Sequence, residues 1–167
     1  MGALGQTTRA PDTYQPNTCS DGAVLPLEAY HEAGTARQVP WSALLRHVLA
    51  LLWKSRLPWG AYAITEALGR SGTKCHPNSI YRSLKTLQSA RLVIPIVSWS
   101  RYIISPDPGI HSWGVILCSR CRNYAVVPLE DDGRLLWSVA RGLSFRPEQS
   151  AIECHGKCTS CAAQEAG

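Results

Sequence analysis

Apolar residues first fall into a helical period at Trp41, from which Leu44, Leu45, Val48, Leu49 and Leu52 recur at three- and four-residue spacings until the Pro58-Trp59-Gly60 break. An amphipathic helix is predicted there. A second, shorter helix is expected over AYAITEALGRSG, with Ala61, Ile64 and Leu68 on one face and Gly69 or Gly72 ending it. A third opens at HPNS. Pro77 suits its first turn, Asn78 or Ser79 can cap it, and Ile80, Leu84 and Leu87 face inward. The period then shortens to two β-like runs, LVIPIVS and RYIIS, joined at Trp99-Ser100. Pro95 bars the first run from a sheet centre, so an edge hairpin is predicted. Three helices and a small hairpin, in that order, predict a winged helix-turn-helix domain over 39–105.

SPDPGIHSWG is rich in Pro and Gly and is expected to be a hinge, 106–112. Beyond it the run GVIL, the run YAVVPL, the helical stretch DDGRLLWSVARGL and the run SAIEC predict a small α/β unit over 113–163. Residues 1–38 mix Pro, Thr, Gly, Ser and Asp without periodicity. They are expected to form a disordered arm, with no more than a weak helical turn near PLEAYHEA. The fold class expected from these patterns is α+β.

Composition changes this picture in two respects. Hydrophobic residues make up 45% of the 167, enough to bury a core. Lys and Arg number 17 against 12 acids, a net charge of +5 that is compatible with a polyanionic partner. No apolar run approaches the roughly 18–20 residues of a spanning helix, and the N-terminal stretch lacks the pattern of a secretory signal. The expectation is a cytoplasmic protein with no membrane partner. In that compartment paired cysteines hold metal more often than they form disulfides.

Such pairs are present. CSRC supplies Cys118 and Cys121, and KCTSC supplies Cys158 and Cys161, with 36 residues between the two pairs. A Cys-x-x-Cys turn points two thiolates at one ion, and a closed tetrahedral zinc site takes four. Two redox dithiols, or thiols that merely pack, are the competing readings. Two identical turns flanking one compact unit favour one structural zinc per protomer. With no open metal position and no nucleophile–base pair, no enzyme is expected.

The third predicted helix carries the remaining chemistry. In a helix-turn-helix the second helix of the pair enters the major groove and offers residues near its N-terminus to base edges. Arg82 can pair bidentately with guanine, and Tyr62 on the preceding helix can reach a base methyl or a phosphate. Asn78, Ser79, Tyr81 and Lys85 complete the candidate face, with Arg70, Lys74 and Arg91 as further phosphate contacts. From these residues alone, a protein-docking face is an equal alternative.

AYAITEAL, HPNSIYRSLKTLQSARLV, HSWGVILCSRC and IECHGKCTSC, in this order and spacing, resemble the ferric uptake regulator superfamily, and within it the zinc uptake regulators. The resemblance spans about residues 41–162. It implies a winged-helix DNA-binding domain, a hinge, and an α/β dimerisation domain whose four-cysteine zinc is structural. It also implies a homodimer on palindromic operator DNA that represses transcription when a metal corepressor is bound. Tyr62 and Arg82 match the base-contacting Tyr and Arg of such proteins.

The sensory ligands implied by the same resemblance fall on Ile94, Ser105, His111 and Val126, of which only His111 can coordinate. His111 is either a remnant regulatory ligand with Asp107 nearby or, as the favoured reading, a hinge histidine held by a hydrogen bond, and a signal other than the usual metal, such as redox state or haem, is the alternative expectation. Outside these motifs, Cys75-His76 and the Cys154-His155 pair are expected to be structural. His31 and His47 are expected to be solvated and Cys19 exposed in the arm, while contact of Trp99 at the wing tip with DNA backbone or sugar is the lesser of its readings.

Overall fold

The computed structural model describes residues 24–55, 57–129, 134–146 and 151–164. Four helices open the described chain: α1 (Leu27–Ala36), α2 (Ala43–Ser55), α3 (Ala61–Arg70) and α4 (Pro77–Ser89). The hairpin β1 (Val93–Ile96) and β2 (Arg101–Ile104) follows, closed by a 3-10 turn over Val97–Trp99 and by Ser100 in the left-handed conformation. A second sheet is built from β3 (Trp113–Cys118), β4 (Tyr124–Pro128) and β5 (Ile152–Gly156), with α5 (Arg134–Gly142) between β4 and β5 and α6 (Thr159–Ala163) last.

Helix α1 corrects the expectation of a disordered arm to residue 38. Its signal is weak because its core positions are Tyr30 and a glycine, and a buried glycine looks like a breaker in sequence. Gly34 is buried because Trp41 lies against it: a Cβ there would collide with Trp41 Cζ2. Tyr30 is 0% exposed and donates its hydroxyl to the carbonyls of Ser105 (2.5 Å) and Pro106 (3.2 Å). Arg37, just past the helix, donates to Ala90 O at 2.8 Å and Pro108 O at 2.6 Å. Thus α1 ties the stretch after β2 to the helical core. The part of the expected arm before residue 24, Cys19 included, lies outside the described residues.

Helices α2, α3 and α4 follow the predicted apolar stripes. Leu45, Val48, Leu49 and Leu52, then Ala61, Ile64 and Leu68, then Ile80, Leu84 and Leu87, are all buried in one cluster. The start of α4 differs from expectation. Its N-cap is His76, without a side-chain cap bond, and Asn78 and Ser79 lie inside the first turn after Pro77. Pro77 removes one unpaired N–H from the first turn, and the His76 carbonyl accepts from Ser79 N at 2.9 Å, so the turn closes without a side-chain cap.

Strands β1 and β2 pair antiparallel, with Pro95 opposite Tyr102 in a two-stranded sheet that tolerates it. In the second sheet the order is β4-β3-β5, with β3 antiparallel to β4 and parallel to β5. The two sheets are not separate. Ile94, Ile96 and Ile103 of the hairpin form one buried cluster with Val115, Leu117 and Val126 of the second sheet. Among the described residues no helix is long and apolar enough to cross a membrane.

Candidate metal centre and nucleic-acid interface

The four paired cysteines converge. Cys118 ends β3 and Cys121 lies in the turn that follows, while Cys158 is the N-cap of α6 and Cys161 sits in its first turn. What joins them is the parallel register of β3 and β5, which sets Cys118 opposite Gly156. Ser119 reinforces it, donating both its N–H (2.8 Å) and its hydroxyl (3.1 Å) to Gly156 O. Arg122 at φ 57° turns the first clip back so that Cys118 N reaches Asn123 O at 2.8 Å. Arg120 crosses to the second clip, its guanidinium donating to Cys161 O at 3.2 Å.

The four sulfur atoms lie within 4.8 Å of one another, and Cys121 Sγ is 3.7 Å from Cys158 Sγ. A tetrahedron of zinc–sulfur bonds of about 2.3 Å has edges of about 3.8 Å, so the cage has the size of a zinc site. Electrostatics agree. Burial opposes ionisation of Cys118, but N–H donors from Cys121, Cys158 and Arg120 outweigh it and bring that thiol down to about 6. Burial, together with the three neighbouring thiols, pushes Cys161 up to about 12. At Cys121 the N–H of Asn123 favours the thiolate, yet burial and the neighbouring thiols leave it raised. One thiolate forms readily, and a dication is needed before the other sulfurs can carry charge together. The four-cysteine group fits a structural zinc ion.

The other candidate metal residues do not join a cluster. Among the described residues this is the only group of three or more His, Cys, Asp or Glu able to share an ion. His111 is exposed on the segment after β2. Ile94 and Val126 are packed together in the buried apolar cluster, and Ser105, 0% exposed, gives its hydroxyl to Asp107 O at 3.1 Å. Cys154 and His155 are both exposed on β5.

The candidate DNA face is built by α3 and α4. The buried stripe of α4 leaves Asn78, Tyr81, Arg82 and Lys85, at helical spacings, exposed on the opposite side, with Ser79 half-buried beside them. Tyr62, 71% exposed at the start of α3, meets Tyr81 edge to face, with ring centroids 6.4 Å apart. Two large aromatic side chains thus stand in solvent beside two cations, which core packing does not require.

Several functional contacts have no signal in the sequence. Glu153 of β5 accepts hydrogen bonds from Val97 N (2.5 Å) and Ser98 N (3.2 Å), clamping the wing turn to the second sheet. Trp99 is half-buried against the same sheet, with the Arg122 guanidinium 5.8 Å from its ring centre, so it is not a free wing tip. His31 is not simply solvated: it packs edge-on against Trp41 at 4.7 Å. Each of these pairings joins segments far apart in the chain or across a loop, where local patterning is silent.

No protein-family model matches the chain, and no curated protein matches it in sequence. Solved structures do. A crystal structure of holo XcZur is 25% identical, with 82% of this chain and 96% of that chain covered and a TM-score of 0.69. A zinc uptake regulator complexed with zinc and DNA is 23% identical over 84% and 95% of the two chains, with a TM-score of 0.70. The ferric uptake regulator of Helicobacter pylori is 16% identical over 84% and 96%, with a TM-score of 0.53. These structural neighbours are transcription regulators rather than enzymes. In fold the chain is similar to ferric uptake regulators of known structure, and most of all to the two zinc uptake regulators among these neighbours.

Proposed function

We propose that this protein is a cytoplasmic, dimeric DNA-binding transcriptional regulator, a repressor of metal-homeostasis genes, held in shape by one structural zinc per protomer. The observation that carries the reading is the exposed face of α4. Tyr81, Arg82 and Lys85 stand opposite a fully buried stripe and beside the solvent-facing Tyr62. Arg82 is assigned to a guanine edge, Tyr62 and Tyr81 to apolar base and sugar contacts, and Asn78, Ser79 and Lys85 to phosphates or adjacent bases. The zinc ligands are Cys118, Cys121, Cys158 and Cys161. Dimerisation is assigned to the C-terminal unit, which exposes Ile116 on the sheet face opposite Val115 and Leu117, and Val139, Leu143 and Phe145 on and after α5.

Selection of duplexes from a random library, followed by anisotropy titration, tests the reading. Arg82→Ala should weaken the selected operator by about 1–3 kcal/mol and relax base preference at one position per half-site. Lys85→Ala should weaken all duplexes alike and flatten the salt dependence. Unchanged operator preference in Arg82→Ala removes Arg82 from the reading surface.

A second reading concerns the signal. The positions where relatives resembling this chain are expected to ligate a sensory metal are occupied here by buried Ile94, Ser105 and Val126, leaving His111 alone. On this reading the regulator answers to something other than hinge-bound zinc. His111→Ala should then change metal-dependent DNA affinity by less than about tenfold, or ~1.4 kcal/mol. A second tight zinc per protomer, lost with DNA binding in His111→Ala, rules it out.

A further inference from the structure

A cavity of about 510 Å³ opens where the end of α4, the hairpin, the segment before β3 and helix α5 meet. Its size lies in the ~300–1,000 Å³ range of small-molecule sites. The walls are unusual in charge. Arg91, Arg134 and Arg141 all line it, and the single carboxylate among its lining residues is Glu153, already engaged by the backbone of Val97 and Ser98.

The arrangement follows from helical geometry. Arg134, Trp137 and Arg141 occupy positions i, i+3 and i+7 of α5, so one stripe of that helix presents two guanidinium groups with an indole between them. Arg91 faces them from the turn that ends α4, and His111 lies at the rim. Neither Arg91 nor Arg141 has a side-chain hydrogen bond or ion pair among the described residues. Guanidinium forks are suited to carboxylate and phosphate oxygens, so Arg91 and Arg141 are placed to hold an anion.

The same cavity holds apolar surface, and the indole of Trp113 lines it. Ile94 and Val115 form the apolar floor, and Trp137 offers a flat aromatic wall.

We propose that this cavity is a binding site for a small organic anion: a carboxylate or phosphate group held by the arginines, carried on a flat apolar body that lies against the indoles. The site is separate from the four-cysteine centre and from the exposed face of α4, and it does not rest on the DNA-binding reading.

The test is calorimetric titration of the zinc-loaded full chain, without DNA, so its failure is distinct from a failure of operator recognition. The probes are phenyl phosphate, benzoate, inorganic phosphate and benzyl alcohol. Phenyl phosphate or benzoate should saturate one site per chain, and Arg91→Ala/Arg141→Ala should weaken that binding by about tenfold or more. Zinc content and far-ultraviolet circular dichroism should match the parent protein. If the double variant does not fold, Arg91→Gln alone serves, since this side chain is exposed and makes no structural bond. Three outcomes overturn the proposal: neither aryl anion saturating at millimolar concentration, benzyl alcohol or inorganic phosphate binding as tightly as phenyl phosphate, or the arginine variant binding like the parent.

Discussion

The shared cluster between hairpin and second sheet makes a quantitative demand on stability. Leu117 is 1% exposed and Ile103 is 2% exposed, one from each side of the contact. Truncating Leu117 to Ala deletes three buried carbons, worth about 2.4 kcal/mol at ~0.8 kcal/mol per carbon. The cavity left behind raises the loss into the range of roughly 2–5 kcal/mol, and Ile103→Ala falls in the same range. If the two sides are one packed body, the second truncation acts on a site already loosened. The double variant should then depart from additivity by at least about 0.5 kcal/mol. Urea unfolding at fixed zinc and protein concentration measures all four corners of the cycle, because bound metal and dimerisation shift apparent stability. Far-ultraviolet circular dichroism reports the helices, and tryptophan emission reports all six indoles, of which Trp99 and Trp113 lie at the contact. A single coincident transition and a non-zero coupling are expected. Two separated transitions, with Leu117→Ala moving one and Ile103→Ala only the other, would refute the shared cluster.

Cys118→Ser should release the structural zinc, measured by elemental analysis, and unfold the C-terminal unit, because the metal's ~10–16 kcal/mol of binding energy is folding energy there. One zinc per protomer and an intact dimer in that variant would contradict the ligand set. At Glu153 burial pushes the carboxyl up, but the Ser98 hydroxyl and the N–H groups of Val97 and Ser98 outweigh it and hold the group below its usual value. Its stabilising contribution is therefore complete above the unfolded value near 4.5 and is lost as pH falls through the lower folded value. The stability gap between the parent and Glu153→Gln, from urea unfolding, should be widest near neutrality and narrow in acid; a gap independent of pH excludes the clamp.

The helical core was legible because each element carries its own evidence. Ile80, Leu84 and Leu87 lie on one side of α4 by spacing alone, and the same spacing leaves Arg82 and Lys85 on the other. The cysteine clips were legible because zinc chemistry demands four soft ligands whatever the intervening chain does. Helix α1 was hidden by Gly34, whose value is a space for Trp41 that no local rule records. The docking of the hairpin was hidden for a related reason. Ile94, Ile96 and Ile103 fall in the two runs that predict an edge hairpin, but the sequence does not say that Val115, Leu117 and Val126 cover them. Glu153 on β5 likewise gives no hint that its partners are backbone amides of a turn far earlier in the chain.

The way the two clips meet bears on how such centres are found by eye or by pattern. Their sulfurs are neighbours because β3 and β5 lie side by side, Cys118 opposite Gly156, and not because of any set count of residues between the pairs. The chain stays in the sheet through β4, leaves it for α5 and returns at β5, so the number of residues spent between the clips does not itself set where the ligands lie. A search that scores the gap between cysteine pairs will therefore pass over chains built this way. The durable signature is a clip at the end of one strand and another beginning two residues beyond its parallel neighbour, with whatever lies between left unweighted.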